Sequence, residues 1–118
     1  MSKGIHVVMD CYDCDEERMD DMEHIYRVLD TIPNMLDMTK IIPPYVFPYC
    51  GKVPEDRGVT GVVIIAESHI TIHTFVERGY MFCDIFSCIA FDPSDTVDYV
   101  VEQFGVKHCR KVEIDRGI

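Results

Sequence analysis

The spacing of apolar residues along the chain predicts two helices placed among short strands. Between residues 16 and 32, apolar side chains recur every three or four positions, which sets them on one face of a helix: Met19, Met22, Ile25, Tyr26, Leu29 and Ile32. Asp13 and Glu16 suit the start of this helix, and Pro33 is expected to end it because the residue before a proline disfavours the helical conformation. A second helix is predicted over residues 95–104, with Gly105 as its stop signal.

Short runs rich in β-branched residues predict the strands, at residues 5–10, 38–42, 59–66, 69–76, 80–88 and 108–114. Residues 43–57 contain four prolines and a glycine, so they are expected to form a long ordered loop. The order β-α-β-β-β-β-α-β with short links predicts an α+β fold: a two-layer sandwich of a mostly antiparallel sheet with both helices on one face. Apolar residues on the other face indicate that a partner subunit covers it.

The charge balance argues against several classes of function. The 118 residues make one domain, and 11 Lys and Arg against 21 Asp and Glu give a net charge of −10. An acidic chain is a poor partner for nucleic acid or an anionic membrane surface, whereas a cationic small molecule would be attracted. No apolar run approaches the ~18 residues of a membrane span, and the first residues do not resemble a signal peptide. We therefore expect a cytoplasmic protein whose six cysteines are mostly reduced.

Residues 58–88 (GVTGVVIIAESHITIHTFVERGYMFCDIFSC) carry five short motifs. Their order and spacing match a known family pattern over all 31 positions, with no insertion or deletion. The motifs are Gly-Val-Thr-Gly, Ala-Glu-Ser-His, Ile-His-Thr, Glu-x-Gly-Tyr and Asp-Ile-Phe-Ser-Cys. This segment resembles the S-adenosylmethionine decarboxylase family, in its small bacterial and archaeal form. In that form the proenzyme cuts itself to generate a pyruvoyl group.

The resemblance implies that the backbone breaks between Glu67 and Ser68, leaving residues 1–67 as the β chain and 68–118 as the α chain. The Ser68 hydroxyl would attack the Glu67 carbonyl, and elimination from the resulting ester would leave a pyruvoyl group at position 68. An imidazole titrates in the range that such proton transfers need. The family assigns this work to the histidine that matches His73, assisted by a hydroxyl that matches Thr60.

The resemblance also implies how the mature enzyme acts. The substrate amine condenses with the pyruvoyl ketone as a Schiff base, the carboxylate leaves, and an acid protonates the α-carbon. In the family this acid matches Cys88, and a thiol suits the task because it is protonated at neutral pH. The glutamate that binds the substrate ribose matches Glu77. The implied substrate is S-adenosylmethionine, for spermidine synthesis, and the implied assembly is a homodimer of processed protomers with active sites at the interface.

One departure from the family pattern leaves the substrate open. The aromatic residue that stacks on the substrate adenine would fall at Pro54, and no aromatic residue stands there. Tyr45, Phe47 or Tyr49 could serve only if the proline-rich loop folds differently. Glu55 and Asp56 nearby would suit a guanidinium or an ammonium group, so arginine or ornithine is the alternative substrate.

A non-enzymatic thiol or metal-binding module is the remaining alternative. Cys11 and Cys14 stand between a strand and a helix, where a redox pair would be placed, but the surrounding carboxylates would raise their pKa values. His69 and His73 lack obvious third and fourth ligands, so no metal site is predicted.

Overall fold

Within residues 4–117, six antiparallel strands in one sheet and three helices build the fold. The computed structural model describes residues 4–117. The strands are β1 (Gly4–Tyr12), β2 (Tyr45–Tyr49), β3 (Gly58–Ile65), β4 (Ser68–Phe75), β5 (Tyr80–Ser87) and β6 (His108–Arg116). The helices are α1 (Glu16–Met19), α2 (Met22–Met35) and α3 (Ser94–Gln103). The strand order is β2-β3-β4-β5-β1-β6 with every neighbouring pair antiparallel, so the predicted α+β class is confirmed.

The core lies between the helices and one face of the sheet. Alternate residues of β1, β3, β4 and β5 are buried, as expected for strands with one covered face. Ile25, Leu29 and Ile32 of α2 and Val100 of α3 are buried against them. Removing an aliphatic side chain of this kind from water contributes about 1.5–3 kcal/mol. None of the helices in residues 4–117 has the length and apolar character needed to cross a membrane.

The single helix predicted over residues 16–32 is two helices, separated at Asp20–Asp21. The carboxylate of Asp15 accepts the Arg18 backbone N–H at 3.1 Å and begins α1. The carboxylate of Asp21 accepts the His24 backbone N–H at 3.1 Å and begins α2. An aspartate that captures such an unpaired N–H favours a new helix start, so the second cap divides the apolar pattern.

The prediction that Pro33 ends the helix is wrong, since α2 continues to Met35. A proline within a helix loses its own N–H bond and crowds the carbonyl four residues earlier, and α2 accommodates this at Pro33, which is buried. The Leu36 N–H still bonds to the Ile32 carbonyl at 3.0 Å, which closes the final turn around the proline.

The proline-rich segment also differs from its prediction. Residues 38–42 make only an isolated bridge between Lys40 and Ile65, so the short strand predicted there is wrong. The strand lies further along, as β2 within the predicted loop, and a short 3-10 turn follows at Pro54–Asp56. β2 is an edge strand with one unpaired side, where Pro48 can be accommodated without breaking a ladder on both sides.

The sheet face opposite the helices is uncovered in the single chain and rich in aromatic and aliphatic side chains. Residues that stand opposite each other on neighbouring strands share a face, so alternate pairs of every ladder build this surface, which we call the open face. Its exposed apolar residues are Tyr12, Tyr45, Phe47, Tyr49, Ile64, Phe82, Val112 and Ile114.

The glycines of Gly-Val-Thr-Gly have a structural explanation. A β-carbon at Gly58 would overlap the backbone carbonyl of Thr74 on β4. A β-carbon at Gly61 would stand 2.6 Å from the Leu29 side chain and 3.2 Å from that of Ile25. The first glycine lets two strands approach closely, and the second lets α2 rest on the sheet.

We expect Gly58→Ala to lower the free energy of unfolding by about 3 kcal/mol or more, and Gly61→Ala by about 1 kcal/mol. The carbonyl that meets a residue at position 58 is fixed by the sheet, whereas the Leu29 side chain can change rotamer. Equilibrium unfolding in urea measures both, and equal losses would contradict the explanation.

Candidate active site

The predicted cleavage site lies at the tip of the β3–β4 hairpin. Ile65 pairs with Ser68, and Ala66 and Glu67 form the exposed two-residue turn between them. Ser68 is the first residue of β4 and is 5% exposed. The Glu67–Ser68 peptide bond therefore joins an accessible turn to a serine that is held within the fold.

Ser68 contacts Cys88, which directly follows β5. The Ser68 hydroxyl accepts the Cys88 backbone N–H at 3.0 Å and donates to the Cys88 Sγ at 3.8 Å. The register that pairs His69 with Phe86 brings the ends of β4 and β5 side by side, so the two residues meet although 20 positions separate them in the chain. The Ser68 hydroxyl, the Cys88 thiol and the Cys88 backbone N–H are therefore in contact at the tip of the hairpin.

Thr60 and His73 form a second contact. They stand directly opposite each other on β3 and β4, with Thr60 Oγ1 3.1 Å from His73 Nδ1. Because a hydroxyl can donate to or accept from the imidazole, this contact orients the ring and leaves Nε2 for another group. The His73 side chain is exposed on the open face.

The structure does not bring these two contacts together within one chain. Ser68 and His73 are five residues apart on β4, which corresponds to about 16 Å along a strand, and an odd number of steps puts their side chains on opposite faces. Glu77 lies beyond His73 in the exposed turn before Gly79. Ser68 and Cys88 therefore form one half-site, and Thr60, His73 and Glu77 lie toward the other end of the hairpin, as a second half-site.

A cavity of about 330 Å³ lies beside the second half-site. Its lining residues are Phe47, Tyr49, Asp56, Thr60, His73, Thr74 and Phe75. Phe47 stands directly opposite Thr60 in the β2–β3 pairing. Aromatic side chains thus line this cavity although Pro54 occupies the expected aromatic position, in the 3-10 turn. The aromatic residues at every second position of Tyr45–Tyr49 were the sequence signal for this strand.

The carboxylates proposed for a basic substrate are engaged differently. Asp56 Oδ1 accepts a hydrogen bond from Arg78 Nε at 2.8 Å, and this hydrogen bond raises the pKa of Arg78. Glu55 is exposed to solvent. Because the Asp56 carboxylate is already paired with Arg78, Glu55 and Asp56 together offer a substrate guanidinium or ammonium group less negative charge than two unpaired carboxylates would.

The histidines considered for a metal are too far apart to share one. His69 and His73 both lie on the open face, but four residues along a strand span about 13 Å. His69 packs against His6 and Phe86, and burial, followed by the nearby His6, lowers its pKa. Within residues 4–117 we find no group of three or more His, Cys, Asp or Glu side chains arranged to hold a metal ion.

The Cys11 and Cys14 thiols are in surroundings that disfavour the thiolate. Burial raises the pKa of Cys14 to about 12, with a further increase from Asp13. Burial also raises the pKa of Cys11 well above its usual range. Both directions agree with the expectation that this pair is a poor source of reactive thiolate at neutral pH.

The fold and these half-sites define a class: an antiparallel α+β domain with a serine at a hairpin tip beside a thiol. The chain belongs to the S-adenosylmethionine decarboxylase family, whose model matches residues 5–117. This family consists of pyruvoyl-dependent carboxy-lyases that are made as self-processing proenzymes. The family resemblance found in residues 58–88 is thereby confirmed over nearly the whole chain.

Individual relatives agree with this assignment. The S-adenosylmethionine decarboxylase proenzymes of Anoxybacillus flavithermus and Thermococcus kodakarensis are each 35% identical to the chain, over 115 and 116 residues. The alignments cover 98% of this chain and 88% and 77% of those proteins. The crystal structure of the adenosylmethionine decarboxylase from Aquifex aeolicus VF5 is similar with a TM-score of 0.77 and 32% identity, covering 99% of this chain and 92% of that one.

Proposed function

We propose that this protein is a self-cleaving, pyruvoyl-dependent decarboxylase that removes the α-carboxylate of S-adenosylmethionine. The observation that carries the proposal is the contact of the Ser68 hydroxyl with Cys88 at the tip of the β3–β4 hairpin. Family membership supports the chemistry, and the cavity beside His73 supports a substrate with an aromatic base.

Cleavage starts from the Ser68 hydroxyl, which attacks the carbonyl of Glu67 and converts the peptide bond into an ester. Removal of the Ser68 α-proton then expels the Glu67 carboxylate, and hydrolysis of the dehydroalanine releases ammonia. The products are residues 1–67 and residues 68–118 with a pyruvoyl group in place of Ser68. The residues present fit this group, because the Ser68 side chain has a backbone donor and a thiol within contact distance.

Cys88 acts in turnover as the proton donor. The pyruvoyl ketone supplies the electron sink for decarboxylation. Cys88 Sγ lies 3.8 Å from the Ser68 hydroxyl oxygen, so a substrate joined to the group formed at position 68 would lie next to this thiol. As a general acid at this position, Cys88 returns the proton that replaces the lost carboxyl group.

His73 and Thr60 act on the Ser68 of a second copy. Within one chain the two half-sites are about 16 Å apart and on opposite faces, too far for a proton transfer. A twofold axis that brings two copies together in opposite strand directions sets the Ser68 end of each hairpin near the His73 end of the other. A homodimer therefore completes two equivalent sites.

The open face supplies a surface for this pairing. Tyr12, Phe82 and Val112 are between 38% and 44% exposed in the single chain, and the aromatic rings of Phe75, Tyr80 and Phe82 pack against one another there. A contiguous apolar face of this kind is costly in water, and covering it with a second copy also encloses His73 and the cavity beside it.

The cavity favours S-adenosylmethionine over arginine or ornithine. Phe47, Tyr49 and Phe75 offer faces for a purine base, and stacking on an aromatic side chain contributes about 1–3 kcal/mol per base. The same aromatic faces attract a sulfonium cation, as does the net charge of −10. Glu77 remains available for the ribose hydroxyls. The basic alternatives would depend on Asp56, whose carboxylate is paired with Arg78.

Ser68→Ala is expected to abolish cleavage, because alanine has no hydroxyl to attack the Glu67 carbonyl. Cys88→Ala is expected to cleave but to lose at least about a hundredfold in kcat, since general acid catalysis contributes about 10²–10⁴-fold. Intact-mass spectrometry measures cleavage, and CO₂ release measures turnover. A Ser68→Ala chain that still yields two fragments would refute the mechanism.

Co-expression of Ser68→Ala and His73→Ala chains tests the composite site. Each variant alone is expected to cleave slowly or not at all. A mixed dimer contains one complete site, made from Ser68 of the His73→Ala chain and His73 of the Ser68→Ala chain. We expect up to about half of the His73→Ala chains to be cleaved, as random pairing into dimers allows. If mixed dimers are recovered through an affinity tag and no His73→Ala chain is cut, the sites are not shared.

A substrate panel of S-adenosylmethionine, arginine and ornithine tests the specificity. We expect turnover of S-adenosylmethionine, and a KM for it that is raised about tenfold or more by Phe47→Ala through lost stacking. Tyr26→Ala is the matched control, because Tyr26 is an exposed aromatic side chain on α2 that lines a separate groove with Met22. Preferential turnover of arginine or ornithine would overturn the assignment.

A further inference from the structure

Four cysteines converge at one end of the sheet, away from Ser68 and Cys88. They are Cys11 on β1, Cys14 in the turn before α1, Cys83 on β5 and Cys109 on β6. After burial, the influences that raise the pKa of Cys11 are Cys109, Cys83 and Cys14, with Cys109 the strongest. The proposed reaction uses none of these thiols.

Within this group, Cys11 and Cys109 have the geometry of a disulfide. They stand directly opposite each other in the β1–β6 pairing, whereas Cys83 stands opposite Met9. Directly opposite residues of an antiparallel pair have α-carbons about 4.5–5.5 Å apart, within the range of about 4.4–6.8 Å that disulfides adopt. Their side chains leave the same face of the sheet, since cross-strand partners share a face.

The two thiols differ in access. Cys11 is fully buried, and Cys109 is exposed on β6, the edge strand of the sheet. Both lie on the helix side, so a partner that covers the open face leaves Cys109 accessible. An oxidant in solution therefore reaches Cys109 first, and Cys11 is the opposite thiol that can resolve the product.

We propose that Cys11 and Cys109 form a reversible disulfide that joins the two fragments of the cleaved chain. The proposal rests on the cleavage proposed above, because Cys11 belongs to residues 1–67 and Cys109 to residues 68–118. β1 lies between β5 and β6, so the bond would fasten a strand of one fragment to a strand of the other. Until it is reduced, this disulfide would covalently link two fragments that otherwise associate only through noncovalent contacts.

The reaction with glutathione disulfide balances in two exchange steps. The Cys109 thiolate attacks one glutathione sulfur, forms a mixed disulfide and expels one glutathione thiolate. The Cys11 thiolate then attacks the Cys109 sulfur, forms the protein disulfide and expels the second glutathione thiolate. Two protein thiols are oxidised, one glutathione disulfide is reduced to two thiols, and the protons from the protein pass to the leaving thiolates. Since burial disfavours the Cys11 thiolate, the second step should accelerate as pH rises.

Non-reducing electrophoresis of the purified, processed protein tests the link. After incubation with glutathione disulfide and alkylation of the remaining thiols, we expect a band at the mass of the full chain. Added reductant should convert this band into the two fragments. Cys109→Ser is expected to decrease the linked band at least about tenfold, because within residues 4–117 only Cys109 is a thiol that stands directly opposite Cys11. Cys50→Ser is the matched control, since Cys50 is exposed on the same fragment as Cys11 and should leave the link intact.

Peptide mapping identifies the pair. A Cys11–Cys109 peptide is expected, and Cys11→Val should remove it while keeping an apolar side chain in the core. A link that persists in Cys109→Ser, a Cys14–Cys109 peptide, or no linked species at all would overturn the proposal. A single band under reducing conditions would instead contradict the proposed cleavage, and mapping of that intact chain would still test the disulfide.

Discussion

The antiparallel pairing of β3 with β4 is the constraint on which both half-sites depend. Its register sets Ile65 beside Ser68 at the turn and Thr60 beside His73 further along. A slip of one residue would turn every side chain of β4 to the other face, exposing Ile70 and Ile72 and burying His73. The buried aliphatic residues therefore enforce the register, and the register fixes where the reactive side chains lie. The close approach of the Gly58 and Thr74 backbones also supports the pairing of β3 with β4, because it holds the far end of β3 against Thr74.

The length of this hairpin explains why one copy is insufficient in the proposed mechanism. Eight residues in each strand keep the turn and the far end well apart, and no histidine within residues 4–117 forms a hydrogen bond with Ser68. The open face carries both His73 and the exposed aromatic residues, so a second copy that binds this face would also contact His73. In the proposed dimer, the surface that buries these apolar residues also presents His73 to the second copy.

Much of the fold could be predicted because the strands around the site are strongly apolar and lie next to one another in the sequence. β3, β4 and β5 were predicted within one or two residues of their bounds. The prolines in and around β2 favour a loop over a strand although aromatic residues alternate along it, and the Asp21 cap divides a helix that the apolar spacing alone predicts as one. The motifs single out Ser68, His73 and Cys88 as candidate site residues but do not predict their spatial grouping, since the order of motifs carries no information on which strand face each residue occupies. The pairing of Cys11 with Cys109 was inaccessible for the same reason, as it joins the two ends of the chain across the sheet.

The strand order also explains how a cleaved chain can remain one domain. Residues 1–67 supply β1, β2 and β3, and residues 68–118 supply β4, β5 and β6, yet the sheet runs β2-β3-β4-β5-β1-β6. β1 therefore makes both of its ladders with strands of the other fragment, and β3 pairs with β4 on one side. Breaking the Glu67–Ser68 bond, as proposed, would open the two-residue turn and leave these ladders and the shared core in place. Self-cleavage at this hairpin is compatible with the fold because the two fragments are interleaved rather than adjacent.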